Sequence, residues 1–68
     1  MTMTIEQVKQ DALTMKKGEE RHYTLNREPS RQEMSALMVW LSGQTKQVFA
    51  FKQRGVHIVL ISVNVPSP

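Results

Sequence analysis

Residues 47–63, QVFAFKQRGVHIVLISV, constrain the fold more than any other part of the chain. Two runs rich in β-branched and aromatic residues flank Gly55, which supplies the positive φ that a tight hairpin turn needs. A strand with one face on a core and one in water alternates between apolar and polar residues. Residues 56–63 are apolar at nearly every position instead. The sequence therefore predicts a hairpin of strands 46–52 and 56–63, of which the second is apolar on both faces.

The chain has few other means of covering such a sheet. Its 68 residues make at most one domain, which we expect to span residues 1–63 and to end in a frayed tail, 64–68. The absence of cysteine excludes disulfides and thiolate metal sites, and His22 and His57 show no ligand-like spacing, so no metal or cofactor is expected. Self-association is the remaining support that small domains commonly use.

A first helix is predicted at residues 4–17. Thr4 and Gln7 have the spacing of a capping box, and Gly18 suits the left-handed position that ends a helix. Apolar residues recur at three- and four-residue steps, which predicts one core-facing stripe. The stripe consists of Ile5, Val8, Ala12 and Met15.

A second helix is predicted at residues 30–41. Ser30 and Glu33 form another capping box, Gly43 ends the helix, and Trp40 lies off the centre of the apolar stripe. The stripe follows the i, i+3, i+4, i+7 pattern and consists of Met34, Leu37, Met38 and Leu41.

Residues 20–25 are predicted to form a short strand between the helices. Tyr23 and Leu25 point to one side of it, and His22 and Thr24 point to the other. The resulting order is α-β-α-β-β. We expect an α+β fold in which two helices pack on one face of a small three-stranded sheet with a C-terminal hairpin.

The core face of the hairpin is identified by its phenylalanines. A turn at Arg54-Gly55 would pair Phe51 with Ile58 and Phe49 with Leu60. The predicted sheet contribution to the core is Phe49, Phe51, Val56, Ile58 and Leu60.

The opposite face of the hairpin is predicted to be an apolar band edged by Lys46 and Lys52. Contiguous apolar surface of this kind usually marks an interface. The alternative is that the last strand is simply central, since β-branched residues favour strands whether or not they are buried. The predicted interface residues are Val48, Ala50, His57, Val59, Ile61 and Val63.

The formal net charge of +3 arises entirely after Glu33, where the chain contains no acidic residue. A basic hairpin of this kind is able to meet phosphates. No aromatic residue is predicted on its outer face, and no helix has the pattern of a basic recognition helix. Only contacts to the phosphate backbone of a nucleic acid are therefore expected. The candidate nucleic-acid contacts are Arg21, Arg31, Lys46, Lys52 and Arg54.

Catalytic patterns are weak in this sequence. Glu20 and His22 lie two apart on a strand and could converge as an acid–base pair, but a solvated strand entry explains them better. Ser30 lacks the context of a nucleophile and is explained as a helix cap. We therefore predict no enzymatic activity, but a small interaction or regulatory protein that self-associates as a homodimer. It is expected to bind a macromolecular partner, with a protein favoured, through its hairpin sheet face. The alternative is a nucleic-acid-binding module.

The run that begins MKKGEERHYTL at Met15 and closes with the hairpin resembles part of the sulfur-carrier family of the TusA type. The shared features are Gly18-Glu19, Glu28-Pro29, Trp40, Gly43 and Gly55 at similar spacing. The resemblance implies the same layout without the activity, because the family's first strand and its Cys-Pro-x-Pro motif have no counterpart here. The layout is also similar to small phage-encoded proteins of unassigned role.

The N-terminal residues MTMTIEQVKQ contain neither the basic nor the apolar region of a secretory signal. No apolar run approaches the roughly 20 residues that a membrane helix needs. The sequence therefore predicts a cytoplasmic protein without a membrane partner.

Overall fold

The computed structural model describes residues 1–63 and contains two helices and a three-stranded antiparallel sheet. The predicted α+β fold and the order α-β-α-β-β are confirmed. The predicted tail, 64–68, lies outside the described residues. The elements are α1 (Ile5–Ala12), β1 (Glu20–Thr24), α2 (Arg31–Thr45), β2 (Val48–Arg54) and β3 (His57–Val63).

Helix α1 begins as predicted but ends early. Thr4 and Gln7 form the capping box, with side chain-to-backbone bonds of 3.2 and 2.8 Å. The carbonyl of Asp11 accepts hydrogen bonds from the hydroxyl of Thr14 and from the guanidinium of Arg21, both at 2.8 Å. These bonds compete with the helical ladder, so the helix stops at Ala12. The prediction that Gly18 ends the helix is wrong.

Helix α2 also begins at its predicted capping box, of Ser30 and Glu33. It continues past Gly43, which therefore does not end it, and reaches Thr45. The cap is Lys46, which adopts a left-handed conformation with φ of 56° and donates its N–H to the Ser42 carbonyl at 2.9 Å.

The strand order is β1-β3-β2, which makes β3 the central strand. Arg54 pairs with His57 and leaves Gly55 and Val56 as the turn, with Gly55 at φ of 61°. Glycine at the first turn position is the pattern of a type II′ turn. The predicted pairing is therefore wrong by two residues: Phe51 lies opposite Leu60, and Phe49 lies opposite Ser62.

A single apolar cluster contains buried side chains from both helices and from all three strands. In the sheet, the buried apolar residues are Tyr23, Phe49, Ile58 and Leu60, which share one face. Phe51 is half-buried against this cluster. Val56 lies in the turn and outside the cluster, so the prediction that it belongs to the core is wrong. The cluster consists of Val8, Ala12, Met15, Tyr23, Leu25, Met34, Leu37, Leu41, Phe49, Ile58 and Leu60.

Candidate binding surface on the open face of the sheet

One face of the sheet contributes no residue to the core cluster, and we call it the open face. It contains all six residues that the sequence predicted as an interface, so the structure brings them together. Three side chains of β1 that the prediction did not include lie beside them. The open face consists of Glu20, His22 and Thr24 on β1, His57, Val59, Ile61 and Val63 on β3, and Val48, Ala50, Lys52 and Arg54 on β2.

The pairing register divides the open face into two ends. Beside the turn, Arg54, His57 and Thr24 lie in one row across the sheet, and the next row holds Lys52, Val59 and His22. We call these two rows the basic end. The other rows hold Ala50, Ile61 and Glu20, and then Val48 and Val63. Because four of these five side chains are apolar, we call this the apolar end.

Exposure differs between the central strand and its neighbours. Val59 and Ile61 on β3 are half-buried, because side chains of both flanking strands shield them. The central position of β3 thus agrees with the alternative explanation for its apolar residues. That explanation does not extend to Val48, which lies on the edge strand β2 and is 55% exposed. Val63, at the end of β3, is 37% exposed.

Polar side chains of β1 form the rim of the open face. His22 Nε2 lies 3.3 Å from Oε2 of Glu20, and the Thr24 hydroxyl lies 3.2 Å from Nδ1 of His57. The sequence contained the signal for their direction, since these residues alternate with Tyr23. It did not contain the strand order, which places β1 directly beside β3.

The candidate cations do not all lie together. Lys52 and Arg54 project from the basic end. Lys46 caps α2 two residues before β2, next to the Val48 end of the strand and not to its turn end. Arg31 begins α2, and a 2.8 Å hydrogen bond from Gln53 Nε2 to the Pro29 carbonyl brings this helix start beside the turn end of β2.

Arg21 lies on the other face of the sheet. It alternates with His22 and therefore points away from the open face. Its guanidinium bonds Glu19 at 2.6 Å and Asp11 at 3.0 Å, and these carboxylates raise the pKa of Arg21, the Glu19 bond contributing most. The Arg21 side chain therefore links β1 to the end of α1.

Ion pairs within residues 1–63 involve only part of the positive charge. Within residues 1–63, the carboxylates of Glu6, Asp11, Glu19 and Glu33 pair with only three cations, Lys9, Arg21 and Arg27. Six lysine and arginine side chains form no ion pair in this part of the chain. They are Lys16, Lys17, Arg31, Lys46, Lys52 and Arg54.

A cleft of about 410 Å³ lies where both helices begin. Buried Leu25 and Leu37 contribute to its lining. Its charged lining residues are paired with each other, Lys9 with Glu6 at 3.3 Å and Arg27 with Glu33 at 2.5 and 2.8 Å. The open face differs from this cleft, because Lys52 and Arg54 form no ion pair in the described residues and Val48 and Val63 are exposed there.

Comparisons with protein-family models, with curated proteins and with solved structures find no match to this chain. The resemblance to sulfur carriers and to phage-encoded proteins stays a prediction. Neither of the helices in residues 1–63 has the length and apolar character needed to cross a membrane.

Proposed function

We propose that the chain is a small non-enzymatic interaction protein that self-associates and binds a protein partner through the open face. The observation that carries this proposal is the exposed apolar end, above all Val48 and Val63. Neither side chain is needed to complete the core cluster of the described residues.

The energetic argument concerns apolar area that remains in water. Burial of apolar surface is worth about 25 cal/mol per Å². A partner that covered about 200 Å² of the apolar end would therefore gain about 5 kcal/mol of hydrophobic free energy before the costs of association. Contiguous apolar surface beside a polar rim is the usual anatomy of a binding patch.

Charge indicates the chemistry of the partner. Lys52 adjoins the apolar end and Arg54 lies one row beyond it, whereas Glu20 is the acidic side chain on this face and lies 3.3 Å from the imidazole of His22. A surface with apolar side chains and an acidic border would complement both ends of the open face.

An anionic apolar dye, anilinonaphthalene sulfonate, tests whether the open face binds a ligand that is both apolar and negatively charged. We expect Val48→Lys and Ile61→Lys to lower the dye fluorescence of the folded protein several-fold. The matched control is Val39→Lys, because Val39 is an exposed valine of α2, 74% accessible, away from the sheet. Equal losses from Val39→Lys and Val48→Lys would contradict the role of the open face.

Self-association has its own measurement. The small core and the uncovered edge of the sheet support it, and sedimentation velocity over micromolar to near-millimolar concentrations measures it. A chain that stays monomeric over this range would overturn this part of the proposal.

The second candidate function is nucleic-acid binding, which the unpaired cations favour. Tyr23, Phe49 and Phe51 share the core face, so the open face offers no phenylalanine, tyrosine or tryptophan ring for base stacking. Binding would therefore depend on phosphate contacts and would weaken steeply as salt rises. Titration of labelled single-stranded and duplex DNA at two salt concentrations tests it, and no binding at low salt removes it.

A further inference from the structure

The two edges of the sheet differ in how they are covered. At the β1 edge, the N–H of Met3 donates to the Thr24 carbonyl at 2.9 Å, and the Met3 carbonyl accepts from Asn26 at 3.0 Å. At the β2 edge, no backbone hydrogen bond within residues 1–63 reaches the strand from outside the sheet. Strand β2 is therefore a seven-residue edge without proline and without a covering segment in the described chain.

The turn determines which groups of β2 point outward. A two-residue turn closes with a hydrogen-bonded pair, here Arg54 and His57. Backbone bonding direction alternates along an antiparallel strand. The N–H and C=O groups of Phe49, Phe51 and Gln53 therefore point away from β3, and a second extended strand is the protein partner that satisfies all of them.

We infer that two copies of this chain pair their β2 strands antiparallel, about a twofold axis at Phe51, to form one six-stranded sheet. The inference rests on the self-association in the proposed function and gives it a geometry. In this register all seven residues of β2 are paired. Val48 lies opposite Arg54 of the second copy, Phe49 opposite Gln53, Ala50 opposite Lys52, and Phe51 opposite its own counterpart.

Three features of β2 fit a second copy of the same strand. Phe51 is half-buried at the edge of the core cluster, and its symmetry mate would cover the exposed part of the ring. Lys52 and Arg54 meet Ala50 and Val48, so no like charges lie directly opposite each other. The edges that remain are both β1, each partly covered by Met3, so the assembly stops at two copies.

The dimer would leave the open face uncovered and extend it across both copies. Because side chains alternate, the pairing of β2 strands joins the two open faces into one surface. A partner would then meet two apolar ends and two basic ends on one continuous sheet.

Substitutions at Ala50 test the register. Ala50→Glu places a carboxylate opposite Lys52 of the second copy, and Ala50→Lys places a cation there. We expect Ala50→Glu to lower the dimer dissociation constant about fivefold and Ala50→Lys to raise it about fivefold, since two cross-strand pairs change together. Ser35→Glu and Ser35→Lys, at an exposed site on α2, are the controls with the same changes in net charge.

Cysteine pairing gives a geometric readout, because the chain contains no cysteine of its own. Opposite residues in the non-hydrogen-bonded position have Cα atoms about 4.5 Å apart, within disulfide range. A mixture of the Ala50→Cys and Lys52→Cys variants should oxidise mainly to the mixed dimer. Ser35→Cys mixed with Lys52→Cys should give no such preference.

The outcomes separate this inference from the proposed function. Equal effects of the Ala50 and Ser35 substitutions, in a dimer that Ile61→Lys disperses, would show that the copies stack through their open faces. That result overturns the edge pairing and leaves self-association standing. A wild-type chain that never dimerises overturns both, whereas dye binding still tests the open face independently.

Discussion

The phenolic oxygen of Tyr23 lies 2.6 Å from Oδ2 of Asp11, so a core-facing side chain of β1 is bonded to the last turn of α1. Arg21 reaches the same carboxylate oxygen at 3.0 Å. The hydrogen bond from Tyr23, more than the guanidinium of Arg21, lowers the pKa of Asp11. Burial, and then the bond to Asp11, raises the pKa of Tyr23 to about 12. Arg21 and Tyr23, two residues apart on the same face of β1, thus both bond Asp11 at the end of α1.

Alkaline titration should expose this contact. Tyr23 is the single tyrosine of the chain, so tyrosinate absorbance reports on it alone. We expect it to titrate near pH 12 in the folded protein and near 10 when unfolded. Because the folded pKa is raised, its contribution to stability is complete below pH 10 and is lost as the pH rises to about 12. Absorbance that titrates near pH 10 in the folded chain would contradict the contact.

Removal of the same hydroxyl should lower stability at neutral pH. Tyr23→Phe keeps the ring in the core but leaves the Asp11 carboxylate with Arg21 as its remaining side-chain donor. A hydrogen bond of this kind contributes about 1 kcal/mol to the free energy of unfolding. Urea unfolding of both proteins measures the loss. The stability of Tyr23→Phe should also stay constant between pH 10 and 12, where that of the unchanged protein falls. If the stability of the variant falls as well, another group is responsible for the fall.

Acid should weaken the start of α2. The guanidinium of Arg27, and then the N–H of Ser30, lowers the pKa of Glu33 to about 2. A lowered folded pKa contributes stability above the unfolded value, 4.5, and that contribution is lost as the pH falls to about 2. Glu33→Gln should therefore lower the free energy of unfolding at pH 7 and flatten its fall below pH 4.5. Glu28→Gln, at an exposed site in no ion pair of the described residues, is the control and should leave this fall unchanged.

Gly43 and Gly55 should respond in opposite directions to alanine. Gly43 lies inside α2 with open space around the position of a Cβ, so Gly43→Ala should raise stability by about 0.5–1 kcal/mol. Gly55 has a φ of 61° in the turn, where alanine is strained, so Gly55→Ala should lower stability by about 1 kcal/mol. Thermal unfolding of both variants measures the two changes in stability. Destabilisation by Gly43→Ala would mean that α2 ends at Gly43.

The sequence predicted local features and the faces of the strands, because both depend on neighbouring residues. The capping boxes at Thr4 and Ser30 and the inward direction of Tyr23 follow from spacing alone. The predicted hairpin register was wrong by two residues, yet all six residues predicted as an interface share one face. Side-chain direction has a period of two, so a shift of two in the pairing leaves each residue on its face.

The features that sequence reasoning missed depend on contacts between distant residues. Helix α1 ends at Ala12 partly because Arg21, nine residues later, bonds the Asp11 carbonyl. The central position of β3 follows from the pairing of β1 with β3, which no local pattern indicates. The direction of Arg21 was predictable from the sequence, because Arg21 alternates with His22 and so shares the face of Tyr23.

Leu60 and Ile61 are adjacent on β3 and point to opposite faces, which makes them the sharpest test of the open face. Leu60 is fully buried, so Leu60→Ala should lower the free energy of unfolding by about 2–5 kcal/mol. Ile61 is half-buried outside the core cluster, so Ile61→Ala should cost about 1 kcal/mol or less. Urea unfolding at low protein concentration, followed through the single tryptophan, Trp40, measures both losses. Equal losses would mean that Ile61 is enclosed within one molecule, and the open face would then not exist as a binding surface.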